Sequence, residues 1–566
     1  MTDRFKSKVE ALAPWAAGLF LALPVLVAFY PPMTDLPYHE ASLGLLRHFF
    51  DPTMCPPGLY ELNLGEPNQL FHMVGWALAY VVSTRWAIKL IVAAAIVAIP
   101  VCAARFARHV GASPLAALVL APIALGWLVS WGLLANLVGL AALLAVLPGL
   151  DRFAREPTGR GAVRCLGAAL LLYFAHESTL VVYAGVALAL ALLHPWAIRR
   201  TALRLSPVIA SALAAAAQLK WQVRFTPKAV RTMPTQWHSP LHKLIRIPYL
   251  TQATSEPEVQ NAILGICVFC IGSFFWLRAR ERRRSAPPAK AEGSRFERTR
   301  AWALAHRWEL FVAVCLAAYM AVPFTWNGAT LIYERWFPPG FAVLAVIAAP
   351  RDLWTRAARA PVMAVAALPL ATVLVNAPSF VDSSRVYGEL EPLVPLIAPG
   401  SSVAGIDIGP GTANRTFFVG PAAGRILAER GGRLAFSFTN SSISPVVTPP
   451  RYQWDEPMMR IGFDSMAFRP AHDFKRFRYV LAHVGDPRRG LVLRYALGHE
   501  ARFVADSGEW MLFESKIEPF PVVSGSVSII GPPPETIQDR FKLLSQRMVS
   551  PTERQESAAG AAAQQP

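Results

Sequence analysis

Apolar runs near the ~20 residues that a helix needs to cross a hydrocarbon core recur through the first two-thirds of the chain. The candidates are Ala11–Tyr30, Trp86–Ala104, Pro114–Val129, Trp131–Leu150, Ala162–Ala175, Ser178–His194, Ala202–Leu219, Gln260–Leu277, Trp302–Phe324, Trp336–Ala349 and Pro361–Asn376. They amount to about eleven spans and predict an all-α polytopic membrane domain over residues 1–377. Composition agrees: mean hydropathy is +0.35 and only 16% of residues are charged, well under the quarter usual in soluble domains. Disorder, a collagen-like fibre and a disulfide-stapled secreted fold are excluded. The first run follows MTDRFKSK and ends in YPPMTD without a small-residue cleavage site, so it reads as a retained helix.

The net charge of +18 raises nucleic acid as a partner, but the basic residues lie in gaps between spans and not on one face. They follow alternate spans: Arg105/Arg108, Arg152/Arg155/Arg160/Arg164, Arg199/Arg200/Arg204, Arg278–Arg284 and Arg351/Arg356/Arg359. With Gln69–Ser83 lying along the membrane surface, roughly 25 Lys/Arg fall on the N-terminal, cytoplasmic side and roughly 9 outside, as the positive-inside rule requires. If that segment crossed, every later loop would change side. Six cysteines are scattered and five lie in apolar runs; the Cys267/Cys270 spacing reads as packing and not as zinc or redox chemistry.

After Asn376 the long apolar runs stop and Ser, Pro, Gly and charge increase. Residues 378–527 are expected to form an extracytoplasmic α/β or α+β domain, with strands at Ser402–Ile408, Arg478–Val484, Ala501–Ala505 and Glu509–Glu514 and a hairpin turn at Ser507-Gly508. The tail, 528–566, has no apolar pattern for a core and reads as disordered.

Charge at membrane depth costs ~2.5–3.5 kcal/mol per residue, so polar clusters at span ends need a reason. Four occur, all on the predicted outer side. Thr34-Asp-Leu-Pro-Tyr-His-Glu40 opens an amphipathic surface helix near 38–50 and puts Asp35 and His39 on one face. Asp35 reads either as a helix cap or as a functional carboxylate. Glu66-Pro-Asn-Gln-Leu-Phe-His72 opens a second surface helix near 69–83, with His72 reading as packing or as a ligand contact. His176-Glu177-Ser178 sits in a tight turn that is either solvated or faces a cavity. The segment Phe324–Pro339 contains Asn327, Tyr333 and Arg335; the guanidinium at a span start is suited to a phosphate, or to snorkelling and pairing with Glu334.

This pattern resembles the GT-C superfamily of integral-membrane glycosyltransferases, in the bacterial mannosyl/aminoarabinosyl-transferase-like branch. Asp35 in TDLPYHE matches that superfamily's carboxylate after the first span, and Tyr333-Glu-Arg-Trp-Phe-Pro-Pro339 its Arg-plus-Pro start of a late span. The second acidic residue frequent in the next outer loop is missing between Val129 and Trp131, and Glu177 in the later outer turn is the candidate to take its place. The resemblance implies inverting transfer of a sugar from a polyprenyl-phosphate donor in the bacterial inner membrane to an acceptor hydroxyl on the extracytoplasmic face. Asp35 would be the base and Arg335 the phosphate binder. His39 and Glu177 join the catalytic expectation. His72, His176, Asn327 and Tyr333 join the substrate-binding one, and Lys228 and Arg231 form a basic rim for the donor's anionic group. No metal ligands are assigned, and the resemblance leaves room for a divalent cation. A different class, a non-catalytic envelope-assembly protein with an outer interaction domain, predicts that Asp35→Ala is harmless. A transporter ranks below both, because no paired broken helices or internal repeats are visible.

Overall fold

Helix α1 (Asp3–Val27) runs antiparallel to helix α4 (Thr84–His109). Lys89 Nζ donates to Ala28 O at 2.7 Å at one end, while Ser113 Oγ donates to Glu10 Oε1 at 3.3 Å beyond the other. The rise between Lys89 and His109 is ~30 Å, the thickness of a hydrocarbon core. This computed structural model describes residues 3–222, 234–284, 294–326, 329–409, 417–454, 460–462, 464–517 and 535–548.

Among the described residues six helices are long and apolar enough to cross a membrane, or seven if the pair Arg295–Ala305 and Arg307–Ala321, bent by 77°, makes one span. The eleven expected spans are not reproduced by this measure, for reasons of length and charge. Gly159–Ala175 and Glu177–Leu193 have 17 residues each, Phe337–Ala348 has 12, and Ile198–Gln222 starts with Arg199, Arg200 and Arg204. The basic gaps do gather at one end of the bundle. Buried Asp151 accepts from His109 Nε2 at 2.7 Å, Arg155 Nη2 at 2.6 Å and Arg307 Nε at 2.6 Å, and Arg204 Nε donates to Ala154 O. We call this the Asp151 end and its opposite the Asp35 end.

At the Asp35 end, helices α2 (Leu36–Arg47) and α3 (Leu70–Leu78) occupy the places of the two expected surface helices. Helix α2 is not a surface helix: Leu36 through Leu46 are all buried. The helix Ala423–Arg430 of the C-terminal region packs across it. A Cβ at Gly44 would run into the Ala428 backbone and one at Gly424 into Pro37, so these two glycines permit the close crossing. Strand β1 (Glu61–Leu62), from the long first outer loop, pairs with β4 (Val446–Val447) and ties the regions again.

The C-terminal region is built on a five-stranded mixed sheet, ordered β3-β2-β5-β7-β6. β2 (Ser402–Asp407) is parallel to β3 (Arg433–Leu434) and to the fully buried β5 (Tyr479–His483). β6 (Ala501–Ser507) and β7 (Trp510–Ser515) form the hairpin, with Gly508 at φ +55 in its turn. Ile406, Val480, Leu493 and Phe513 are in its core. The last long helix does not stop at Asn376 but continues over Arg359–Leu390 into this region, where Val386 O accepts from Trp510 Nε1 at 2.7 Å. The tail, expected to be without order from 528, contains a helix at Ile537–Met548. Ile537 is buried against the sheet's core, and Arg540 bonds both oxygens of Glu500 at 2.8 and 2.9 Å.

Candidate functional site

The span entering the Asp35 end from Pro114 is broken at Gly126 and finishes as the short helix Trp127–Trp131. Gly132 follows at φ +75, a conformation that costs glycine nothing. This turn holds the segment after α1 by its backbone: Thr34 N donates to Ser130 O at 2.9 Å and Asp35 N to Trp131 O at 3.1 Å. Asp35 starts α2 through its carbonyl, which accepts from Tyr38 N and His39 N, while its side chain makes no cap bond. Its carboxylate has no hydrogen bond or salt bridge among the described residues. Burial pushes its pKa up to about 7. The cap reading therefore does not account for this side chain.

His39 is differently engaged. Its Nε2–H donates to Gly132 O at 2.9 Å, so Nδ1 carries the lone pair and accepts from His72 Nε2–H at 3.1 Å. Burial lowers its pKa to about 4. A ring with both nitrogens committed is a brace for the Gly132 turn and not a proton acceptor for substrate. His72 supports that brace, and its own Nδ1 is buried without a partner.

Residues from α3's approach lead to Arg335. Asn68, at φ +65, accepts from Glu177 N through Oδ1 at 2.8 Å. Glu177 Oε1 lies 3.7 Å from Arg335 Nη1 and Oε2 accepts from Gln218 Nε2 at 3.2 Å. Arg335 is half-buried, and its Nε has no acceptor. His176 caps the helix Glu177–Leu193 by accepting from Ser178 N at 3.1 Å, and burial together with nearby Arg335 keeps it neutral.

A second run of contacts returns from Arg335 to Asp35. Neighbouring Glu334, fully buried, accepts from Arg246 Nη2 at 3.1 Å. Arg246 lies over the Tyr249 ring at 4.4 Å, and Tyr249 OH accepts from Trp131 Nε1 at 2.8 Å. Asp35, His39 and His72 form one run and Asn68, Glu177 and Arg335 a second, joined along the chain from Asn68 to His72; Glu334, next to Arg335 in the chain, leads back through Arg246, Tyr249 and Trp131 to Asp35. Tyr333 adjoins this run: fully buried, it interacts with Glu334 and Arg246, its hydroxyl meets His238 Nδ1 at 3.1 Å and its ring underlies Lys243. Asn327, Lys228 and Arg231 lie outside the described residues.

The sequence places Arg246 in a basic outer rim and does not single out Trp131 and Gly132, which hold Asp35, or the buried Glu66. Glu66 is 2% exposed, its Oε2 has no partner, and burial pushes its pKa to about 7. An acidic residue opening a surface helix was the available signal. Among the described residues no three His, Cys, Asp or Glu side chains group as metal ligands.

No family model matches the chain, and no curated protein does. Solved structures do. ArnT from Cupriavidus metallidurans in the apo state matches at TM-score 0.52 and 12% identity, covering 90% of this chain and 98% of that one. The same protein bound to undecaprenyl phosphate matches at TM-score 0.51 and 12% identity, with the same coverage. Over 90% of its length, this chain therefore shares the fold of ArnT.

Proposed function

We propose that the chain is a membrane glycosyltransferase that takes a sugar from a polyprenyl-phosphate donor and gives it to an acceptor hydroxyl at the Asp35 end. The observation that carries this reading is that a carboxylate without a partner among the described residues, Asp35, and a half-buried guanidinium with an unused Nε, Arg335, lie at the same end of the bundle, Arg335 being linked through Glu177 and Asn68 to the start of α3. The bound undecaprenyl phosphate of the structurally similar ArnT supports the donor class.

In the reaction the acceptor oxygen forms a bond to the sugar's anomeric carbon as the bond from that carbon to the phosphate oxygen breaks. Asp35 takes the acceptor's proton; a base with a pKa near the working pH is suited to this. Arg335 stabilises the negative charge left on the polyprenyl phosphate, using Nε and the valences that the loose 3.7 Å contact with Glu177 leaves open. Glu177 and Asn68 aim the guanidinium, and His39, braced by His72, fixes the Gly132 turn against Asp35.

The test uses full-length protein in lipid nanodiscs with undecaprenyl phosphate as ligand. Binding that is lost in Arg335→Gln and kept in Asp35→Asn supports the assignment of roles. Binding indifferent to Arg335 would overturn it.

A further inference from the structure

Six arginines, Arg108, Arg155, Arg278, Arg282, Arg307 and Arg351, line a cavity of about 300 Å³ at the Asp151 end of the bundle. That end lies ~35 Å along α4 from Arg85 and the candidate transfer site, so the cavity is separate from it. The positive-inside bias accounts for basic loops but not for their convergence on one concavity.

Much of this charge is already committed. Arg155 and Arg307 are on Asp151, Arg278 Nη1 donates to the carbonyls of Ile347 and Ala349, and Arg282 is 3.8 Å from Glu309. Arg108 and Arg351 have no carboxylate within salt-bridge distance among the described residues. The Arg351 guanidinium rests on Gly111, where a Cβ would stand 3.5 Å from its Nε. One further donor is unspent: Trp308, 5% exposed and lining the same cavity, has an indole N–H without an acceptor. Two uncommitted guanidiniums and a buried N–H call for an oxygen-rich anion with several acceptor sites.

We propose that this cavity binds a phosphate-bearing anion, either the headgroup of an anionic lipid in the leaflet opposite the transfer site or a free phosphate. The volume is at the lower end of the ~300–1,000 Å³ of small-molecule sites, and a membrane face rich in basic side chains concentrates anionic headgroups.

The experiment measures lipid retention by native mass spectrometry and melting temperature on detergent-purified full-length protein. The probes are short-chain phosphatidylglycerol, short-chain phosphatidylcholine and inorganic phosphate. Retention and stabilisation by phosphatidylglycerol alone assign the site to a lipid headgroup; an equal shift with inorganic phosphate assigns it to a free phosphate. Each basic side chain at such a surface is worth roughly fivefold, so Arg108→Gln/Arg351→Gln weakens binding roughly 25-fold. Trp308→Phe keeps the ring, removes one donor to a charged group and weakens binding roughly tenfold. Undecaprenyl phosphate binding is unchanged in both variants. If the double variant does not fold, the wild-type protein still reports, because retention at a charge-built site falls as salt is raised. No shift with any probe, an equal shift with phosphatidylcholine, or shifts that survive both variants would overturn the proposal.

Discussion

Gly132 lies directly against Asp35: a Cβ on Gly132 would stand 2.9 Å from the Asp35 nitrogen and 3.1 Å from its Cβ. The φ of +75 penalises any L side chain as well. Gly132→Ala should therefore move the carboxylate without touching its chemistry. Misplacement of a reacting group by about 1 Å costs ~10²-fold in rate. The expected result is a loss of turnover of that order with polyprenyl phosphate binding retained, read by parallel transfer and binding assays.

Burial raises the Asp35 pKa to about 7. A general base works only when deprotonated, so transfer should rise with pH through about 7 and level off above it. Asp35→Asn removes the base and should cost ~10²–10⁴-fold. Asp35→Glu, which keeps a carboxylate but displaces it, should retain a rise with pH on a lower plateau. A pH–rate profile for the wild type without an inflection near neutrality would remove Asp35 from the role of base.

Arg335→Lys keeps the positive charge but loses the planar fork that meets two phosphate oxygens. Loss of a charge-assisted hydrogen bond predicts affinity for undecaprenyl phosphate lower by about 10- to 100-fold. Glu177→Gln should do the reverse to binding, raising affinity modestly, since the carboxylate 3.7 Å away competes with the ligand for the same guanidinium. Titrations of nanodisc-embedded protein distinguish the two.

The sequence showed the membrane class, the alternation of charge and four strands of the mixed sheet, because each depends on local periodicity. Ser402–Asp407 and Trp510–Ser515 lie where alternation and the Ser507-Gly508 turn put them. Asp35 and Arg335 were legible for a similar reason: charge next to an apolar run is costly and therefore conspicuous. What pairing would reveal was not legible. His39 reads as a catalytic imidazole until Gly132 O and His72 are seen to occupy both nitrogens. The bond between the Tyr333 hydroxyl and His238 is another pairing that periodicity does not show. Helix α2 has the periodicity of a surface helix, and only the packing of Ala423–Arg430 across Gly44 explains why it is buried.

Glu40 was conspicuous for the same reason as Asp35 but has a different task. It is 1% exposed, accepts from Tyr30 OH at 3.0 Å and pairs with Arg425 at 3.2 Å, joining α2 to the C-terminal region. Arg425 also meets Glu391 and Glu429. Arg425→Met leaves Glu40, in a site that disfavours its charge, with only Tyr30 OH and the more distant Arg85 Nε at 3.9 Å, a loss of up to about 3–5 kcal/mol. The measurable outcome is a lower melting temperature and faster proteolysis of the C-terminal region. Glu40→Gln added to Arg425→Met should recover part of the loss, since no buried charge is then left alone.

His483 sets how the same region responds to pH. Burial of the ring lowers its pKa, but Nδ1 at 2.8 Å from Asp407 and Nε2 at 2.7 Å from Glu509 outweigh this, and the net shift is upward. A folded-state pKa above the unfolded value near 6.5 stabilises the fold fully below ~6.5, and that stability is lost as pH rises through the folded value. Glu509 also accepts from Arg385 at 2.7 Å, and Glu389 accepts from the Glu509 backbone, so the titrating pair bears on the helix that joins the region to the membrane domain. The melting temperature of the full-length protein should therefore fall as pH rises above about 6.5. His483→Gln keeps a hydrogen-bonding side chain that does not titrate; it should lower the melting temperature at acid pH and flatten the slope. An unchanged slope in that variant would assign the pH dependence to other groups.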